Sequence, residues 1–214
     1  MADIEAKTAA IRAVLEGQPV IPVLKIDRAA DAVPLARALH RGGLKAIEIT
    51  LRTPAALDAI RAVASEAPEV MVGAGTILDA RHYEAAAEAG AKFIVSPGAT
   101  PSLLDAARMG DVPLLPGATT PSEIMAMREA GYSILKFFPA EQSGGIAFLK
   151  ALASPLAGVS FCPTGGISMA NAAAYLALPN VLAIGGSWVA PDDRVAAGDW
   201  AAIEALAAEA GRLR

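Results

Sequence analysis

The stretch VIPVLKIDRAADAVPLARALHRGGLKAIEIT, residues 20–50, sets the architecture. Two short apolar runs of strand length, VIPVL at 20–24 and AIEIT at 46–50, bracket AADAVPLARALH. That middle segment repeats its apolar residues at i, i+3 and i+4, the helical period, and it stops at Gly42-Gly43. One strand–helix–strand unit is thereby complete, and the same unit recurs to the end of the chain. The further runs are VMVGA at 70–74, KFIVS at 92–96, VPLLP at 112–116, SILKF at 133–137, VSFCP at 159–163 and LAIGG at 182–186. Helical segments such as PAALDAIRAVASEA, DARHYEAAAEAG and PSEIMAMREAG lie between them, several opening after Thr, Ser or Asp and closing at Gly. Eight strands alternating with helices form either an open doubly wound sheet or a closed barrel. Their near-equal spacing favours the closed (β/α)8, or TIM, barrel. No linker or low-complexity tract interrupts the series, so residues 1–214 read as a single barrel domain. The segment MADIEAKTAAIRAVLEG precedes the first strand and reads as an extra N-terminal helix over about 3–17, capped by Asp3, stopped by Gly17 and covering the bottom of the barrel.

Bulk composition agrees with a barrel. Hydrophobic residues make up 54% of the 214 residues and charged residues 19%, enough for a large buried core. The net charge of −4 argues against nucleic acid or an anionic membrane as the main partner. A single cysteine, Cys162, excludes a disulfide within the chain and fits a reducing cytoplasm. The N-terminus carries Asp3 and Glu5 and lacks the long apolar run of a signal or membrane span, so a cytoplasmic location is expected.

In such barrels chemistry gathers at the C-terminal ends of the strands. The unusual residues of this chain fall there: Glu48, Thr50, Arg52 and Thr53 after the second run, Gly75 and Thr76 after the third, Ser96-Pro97-Gly98 after the fourth. Of the six lysines only Lys136 lies inside an apolar strand, SILKFFP, where alternation puts Ile134, Lys136 and Phe138 on one face. If that face points inward, desolvation disfavours the ammonium, and a neutral amine can attack a ketone to form an iminium. The competing reading is a lysine that snorkels to the rim or pairs with a carboxylate. Glu48, between Ile47 and Ile49, is the natural partner, as a proton shuttle or as half of a structural ion pair. Arg52 can grip a substrate carboxylate through its planar fork, or can be an ordinary exposed loop arginine. Gly165-Gly166 and Gly185-Gly186-Ser187 end the seventh and eighth runs, where barrels often hold phosphate on backbone amides. His40 and His82 read as surface residues and Cys162 as a small buried hydrophobe, and no cluster suited to a catalytic metal is apparent. A sugar-phosphate isomerase or epimerase, or a noncatalytic sugar-phosphate-binding barrel, remain as alternatives on these grounds.

The stretches EITLRT at 48–53, VGAGT at 72–76, LLPGATTPSE at 114–123, LKFFPAE at 135–141, FCPTGGIS at 161–168 and IGGSW at 184–188 occur in one order along the chain. In these the sequence resembles the 2-keto-3-deoxy-6-phosphogluconate (KDPG) aldolase / 4-hydroxy-2-oxoglutarate (KHG) aldolase family, which are class I aldolases. The resemblance implies a homotrimeric barrel with neither metal nor organic cofactor, acting on a phosphorylated keto sugar acid and releasing pyruvate. It implies that Lys136 forms the Schiff base and that Glu48 is the general acid/base. Arg52 and Thr76 would hold the pyruvyl carboxylate, Pro97 and Phe138 would shape the pocket, and Thr164 would face the substrate hydroxyls. Gly165, Gly166, Gly186 and Ser187 would take the phosphate. The departure is Gln142-Ser143, where Ala or Ser followed by Asn is expected.

Overall fold

The computed structural model describes residues 4–213. The Asp3 cap expected for the first helix lies outside them. Eight parallel strands run β1 (Val20–Leu24), β2 (Ala46–Thr50), β3 (Met71–Gly75), β4 (Ile94–Val95), β5 (Leu114–Leu115), β6 (Ile134–Phe137), β7 (Ser160–Pro163) and β8 (Ile184–Gly186). β1 and β2 match the sequence runs, and β3 is displaced by one residue. β4 and β5 are shorter than KFIVS and VPLLP suggest. Pro113 and Pro116 flank β5 and cannot donate, which trims the regular ladder. The hydrogen bonds Ile94 N→Pro113 O (2.8 Å) and Ser96 N→Leu115 O (3.2 Å) still carry the pairing.

Six strands pair in the order β5-β4-β3-β2-β1-β8, and β6 pairs with β7. Two further contacts close the ring. Gly117 bridges Lys136, through Lys136 N→Pro116 O (2.9 Å) and Ala118 N→Lys136 O (3.0 Å), and Thr164 bridges Gly185. The result is the (β/α)8 barrel. Around it lie α2 (Ala32–Arg41), α3 (Ala56–Glu66), α4 (Ala80–Glu88), α5 (Pro101–Met109), α6 (Pro121–Glu129), α7 (Gly145–Leu152), α8 (Met169–Leu176), α9 (Asp192–Ala197) and α10 (Trp200–Gly211). Their starts have local causes: Asp79, Thr100, Thr120 and Asp199 each accept a backbone N–H of the first turn. Pro121 and Pro101 occupy positions where a missing N–H costs nothing.

Strand alternation divides the core in two. Ile47, Ile49, Leu135 and Phe137 face outward into the layer shared with the helices. Ile21, Ala46, Phe93, Val95, Leu115, Ile134, Cys162 and Ala183 face inward and pack with Ile11, Val14 and Leu15 of α1 (Ile4–Glu16). The N-terminal helix therefore closes the bottom of the barrel, as its position in the sequence suggests. Burial pushes the Cys162 thiol up to about 12. Because the thiolate is the reactive form, Cys162 is expected to resist iodoacetamide in the folded protein at neutral pH and to react after denaturation. Labelling of the native protein would contradict the inward, neutral placement.

Lys7 of α1 has a role its helical spacing does not reveal. Its ammonium is buried and donates to Ala107 O (2.7 Å), Arg108 O (3.4 Å) and Gly110 O at the C-terminal end of α5. That end carries the negative pole of the helix and carbonyls without intrahelical partners. Lys7→Met removes the donor and leaves those carbonyls unpaired. It is expected to destabilise the fold by about 1–3 kcal/mol, read as a lower midpoint in urea; an unchanged midpoint would mean that the clasp contributes nothing.

Candidate active site

The tops of the strands converge on a cavity of about 230 Å³ lined by Val23, Glu48, Thr50, Arg52, Thr76, Pro97, Lys136, Phe138 and Thr164. Eight of these, all but Val23, are residues named from the sequence. Lys136 Nζ donates to Glu48 Oε1 at 3.2 Å, and both side chains are buried. A buried charge pair persists only when its members satisfy each other. Lys136 Nζ also lies 5.5 Å from the centre of the Phe138 ring, a cation–π distance.

The space for the carboxylate of Glu48 is made by glycine. β3 runs beside β2 with Glu48 opposite Gly73 and Thr50 opposite Gly75. A Cβ on Gly75 would lie 1.9 Å from Glu48 Oε1, and one on Gly73 would lie 2.4 Å from the Phe93 ring. The first glycine of VGAGT thus admits an aromatic floor and the second a carboxylate.

The wall around Arg52 and Thr76 has its own support. Thr50 Oγ1 donates to Leu24 O (2.8 Å) and accepts Arg52 Nε (2.9 Å), which turns the guanidinium towards the cavity from an otherwise exposed loop. Thr76 follows at φ 61°, a left-handed conformation that is costly for a β-branched residue. Thr119 Oγ1 donates to Phe138 O (2.8 Å) and fixes the segment after Lys136, where the Phe138–Pro139 peptide is cis.

Gly165, Gly166, Gly186 and Ser187 are not in the cavity wall. They form the adjoining rim: a Cβ on Gly165 would meet Phe138 Cδ2 at 3.3 Å, and one on Gly185 would meet Thr164 Oγ1 at 2.2 Å. Gly165 and Gly166 adopt φ 102° and 75°, which a side chain disfavours. The carbonyls of this loop are tied down by Glu141 N→Gly165 O (3.1 Å) and Asn171 Nδ2→Gly166 O (3.3 Å). That arrangement leaves an N–H-rich turn ahead of the α8 N-terminus.

Sequence reasoning missed Val23 and placed Thr50 at the rim without giving it a role. The signal was the strand period: Val23 is two residues beyond inward Ile21, and Thr50 two beyond Glu48. A larger groove of about 310 Å³ beside the rim includes Lys25, Asp27, Arg28, Asp31 and Asp192. Its cations are already paired, Lys25 with Asp27 at 2.9 Å and Arg28 with Asp31 at 2.8 Å, so it offers little to an anionic ligand. Among the described residues no three His, Cys, Asp or Glu side chains come together as a metal-holding group. No helix among them is long and apolar enough to cross a membrane.

Residues 11–206 match the sequence profile of the aldolases described as KDPG and KHG aldolase. The chain belongs to the KDPG and KHG aldolase family. It is 51% identical over 204 residues to the KHG/KDPG aldolase of Escherichia coli strain K12, covering 95% of each chain. The KDPG aldolase of Legionella pneumophila, with pyruvate captured at low pH as a covalent carbinolamine intermediate, superposes with a TM-score of 0.92 at 42% identity, over 94% of this chain and 97% of that one. The Zymomonas mobilis ZM4 KDPG aldolase with 3-phosphoglycerate gives a TM-score of 0.90 at 45% identity, over 100% of this chain and 97% of that one.

Proposed function

We propose that this member of the family is a class I aldolase. In this reading it cleaves 2-keto-3-deoxy-6-phosphogluconate to pyruvate and D-glyceraldehyde 3-phosphate and also acts on 4-hydroxy-2-oxoglutarate. The observation that carries the reading is the buried Lys136–Glu48 pair, 3.2 Å apart, in a cavity that Arg52 and Thr76 also line. The covalent pyruvate carbinolamine in the Legionella relative supports it, and so does the 3-phosphoglycerate in the Zymomonas relative.

Arg52 and Thr76 hold the substrate carboxylate, with Pro97 and Phe138 enclosing the reacting carbons. Gly165, Gly166, Gly186 and Ser187 take the phosphate, and Thr164 meets the hydroxyls between. Lys136 gives a proton to Glu48, and its free amine adds to the C2 ketone. Glu48 returns the proton to the carbinolamine oxygen, water leaves and an iminium forms. Glu48 then removes the proton of the C4 hydroxyl. The C3–C4 bond breaks, its electron pair moves into the iminium to give an enamine, and the aldehyde departs. Protonation at C3 and hydrolysis of the iminium release pyruvate and regenerate Lys136.

Incubation with pyruvate and borohydride, followed by peptide mass spectrometry, is expected to find a reduced pyruvyl adduct on Lys136. Folded protein with no adduct on any lysine would return the isomerase reading. We further read the protein as a cytoplasmic homotrimer, so light scattering should give about three times the 21.7 kDa chain mass.

A further inference from the structure

Glu141, the last residue of KFFPAE, has no part in the chemistry above, yet it joins the nucleophile's strand to the glycine loop by three routes. The first is the main chain: Ala140 N donates to Thr164 O (2.8 Å) and Glu141 N to Gly165 O (3.1 Å). The second is packing. A Cβ on Gly166 would stand 2.6 Å from Glu141 Cγ and 2.7 Å from its Cβ, so the carbon stem of Glu141 fills that face of the loop. The third is the carboxylate, which accepts the hydroxyl of Tyr175. Tyr175 is fully buried in α8, the helix that follows the loop. A Cβ on Gly145 would lie 3.0 Å from Tyr175 Oη and 3.2 Å from Glu141 Oε1, so the turn into α7 closes over the same contact.

A carboxylate this close to an anion-binding loop is electrostatically unfavourable for phosphate. Its compensation is geometric. An acidic side chain has the length to lie under Gly166 and still reach Tyr175, and an oxygen acceptor completes the contact. Burial and the neighbouring carboxylate both push the Tyr175 phenol up, so the hydroxyl stays a donor at any working pH.

We infer that Glu141 is a positioning residue for phosphate: braced by Tyr175, its side chain holds Gly165 and Gly166 in the left-handed conformations that aim the loop's N–H groups at the anion. The inference rests on the reading of that loop as the phosphate site. Among the described residues Glu141 takes part in no ion pair, so its carboxylate charge is not needed for the brace.

The test compares Glu141→Ala, Tyr175→Phe and Glu141→Gln on two substrates, 2-keto-3-deoxy-6-phosphogluconate and 4-hydroxy-2-oxoglutarate, which carries no phosphate. The affinity of each variant for inorganic phosphate is measured by calorimetry alongside. In Glu141→Ala and Tyr175→Phe, the ratio of kcat/KM for the phosphorylated over the unphosphorylated substrate should fall about tenfold, through KM, and the phosphate Kd should rise about as much. Glu141→Gln keeps the acceptor and loses the charge, so it should hold both quantities at or better than the parent values. A lower Tm with ratio and phosphate Kd unchanged would overturn the inference and leave a plain structural brace. If the unmodified protein cleaves neither substrate, the aldolase reading falls by itself, and the phosphate Kd of Glu141→Ala still decides this one: no change overturns it.

Discussion

Lys136→Arg is expected to lower cleavage of the phosphorylated keto acid by at least about 10^4-fold, the scale on which removal of a covalent nucleophile acts. The guanidinium keeps a charge opposite Glu48 but cannot lose a proton to become a nucleophile. Lys136→Ala should be equally inactive and also less stable. It strands the buried Glu48 carboxylate, a loss of about 3–5 kcal/mol for a broken buried pair. Combining Lys136→Met with Glu48→Gln removes both charges and should recover most of that stability with none of the activity. Turnover and denaturation midpoints measured on the three proteins separate the two effects. Near-normal turnover in any of them would sink the assignment of Lys136.

Gly75→Ala is the second large effect, and it comes from a residue with no functional group. The new methyl would fall 1.9 Å from Glu48 Oε1 and 2.6 Å from its Cγ and Cδ, so the carboxylate must leave the position from which it meets Lys136. Displacing a proton-transfer group by about 1 Å costs on the order of 10^2-fold, and losing it altogether up to about 10^4-fold. The expected result is a fall in kcat within that range, with borohydride trapping at Lys136 slowed. Gly73→Ala is the control. Its methyl meets the Phe93 ring at 2.4 Å, with ring atoms rather than the carboxylate as its nearest neighbours, so overpacking should cost about 1–3 kcal/mol of stability. If Gly75→Ala turned over at the parent rate, Glu48 could not be the proton shuttle in the place where it lies.

The two glycines show how sequence and structure divide the information. VGAGT is legible as a strand end, but its glycines look alike; the register that sets Glu48 opposite Gly73 and Thr50 opposite Gly75 assigns one to a ring and the other to a carboxylate. Arg52 behaves similarly. Its exposed loop position fits either reading made from the sequence, and the hydrogen bond to Thr50 selects the orientation. Lys7 carried no signal at all, since a lysine on an amphipathic helix gives no hint of a helix end 100 residues away.

By itself the sequence determined the eight strand–helix units, the helix under the barrel and the singular positions of Lys136 and Glu48. These are local properties: period, turn residues, and a charge inside an apolar run whose burial must be compensated. Only the tertiary structure decided that the ring closes through Gly117–Lys136 and Thr164–Gly185, which carries residues 88 apart in the chain to within hydrogen-bonding distance. It alone set Thr76 at φ 61°, Glu141 under the glycine loop and Tyr175 behind it. Strand pairing and packing between distant segments depend on which faces meet, and that is settled only when the whole barrel has closed.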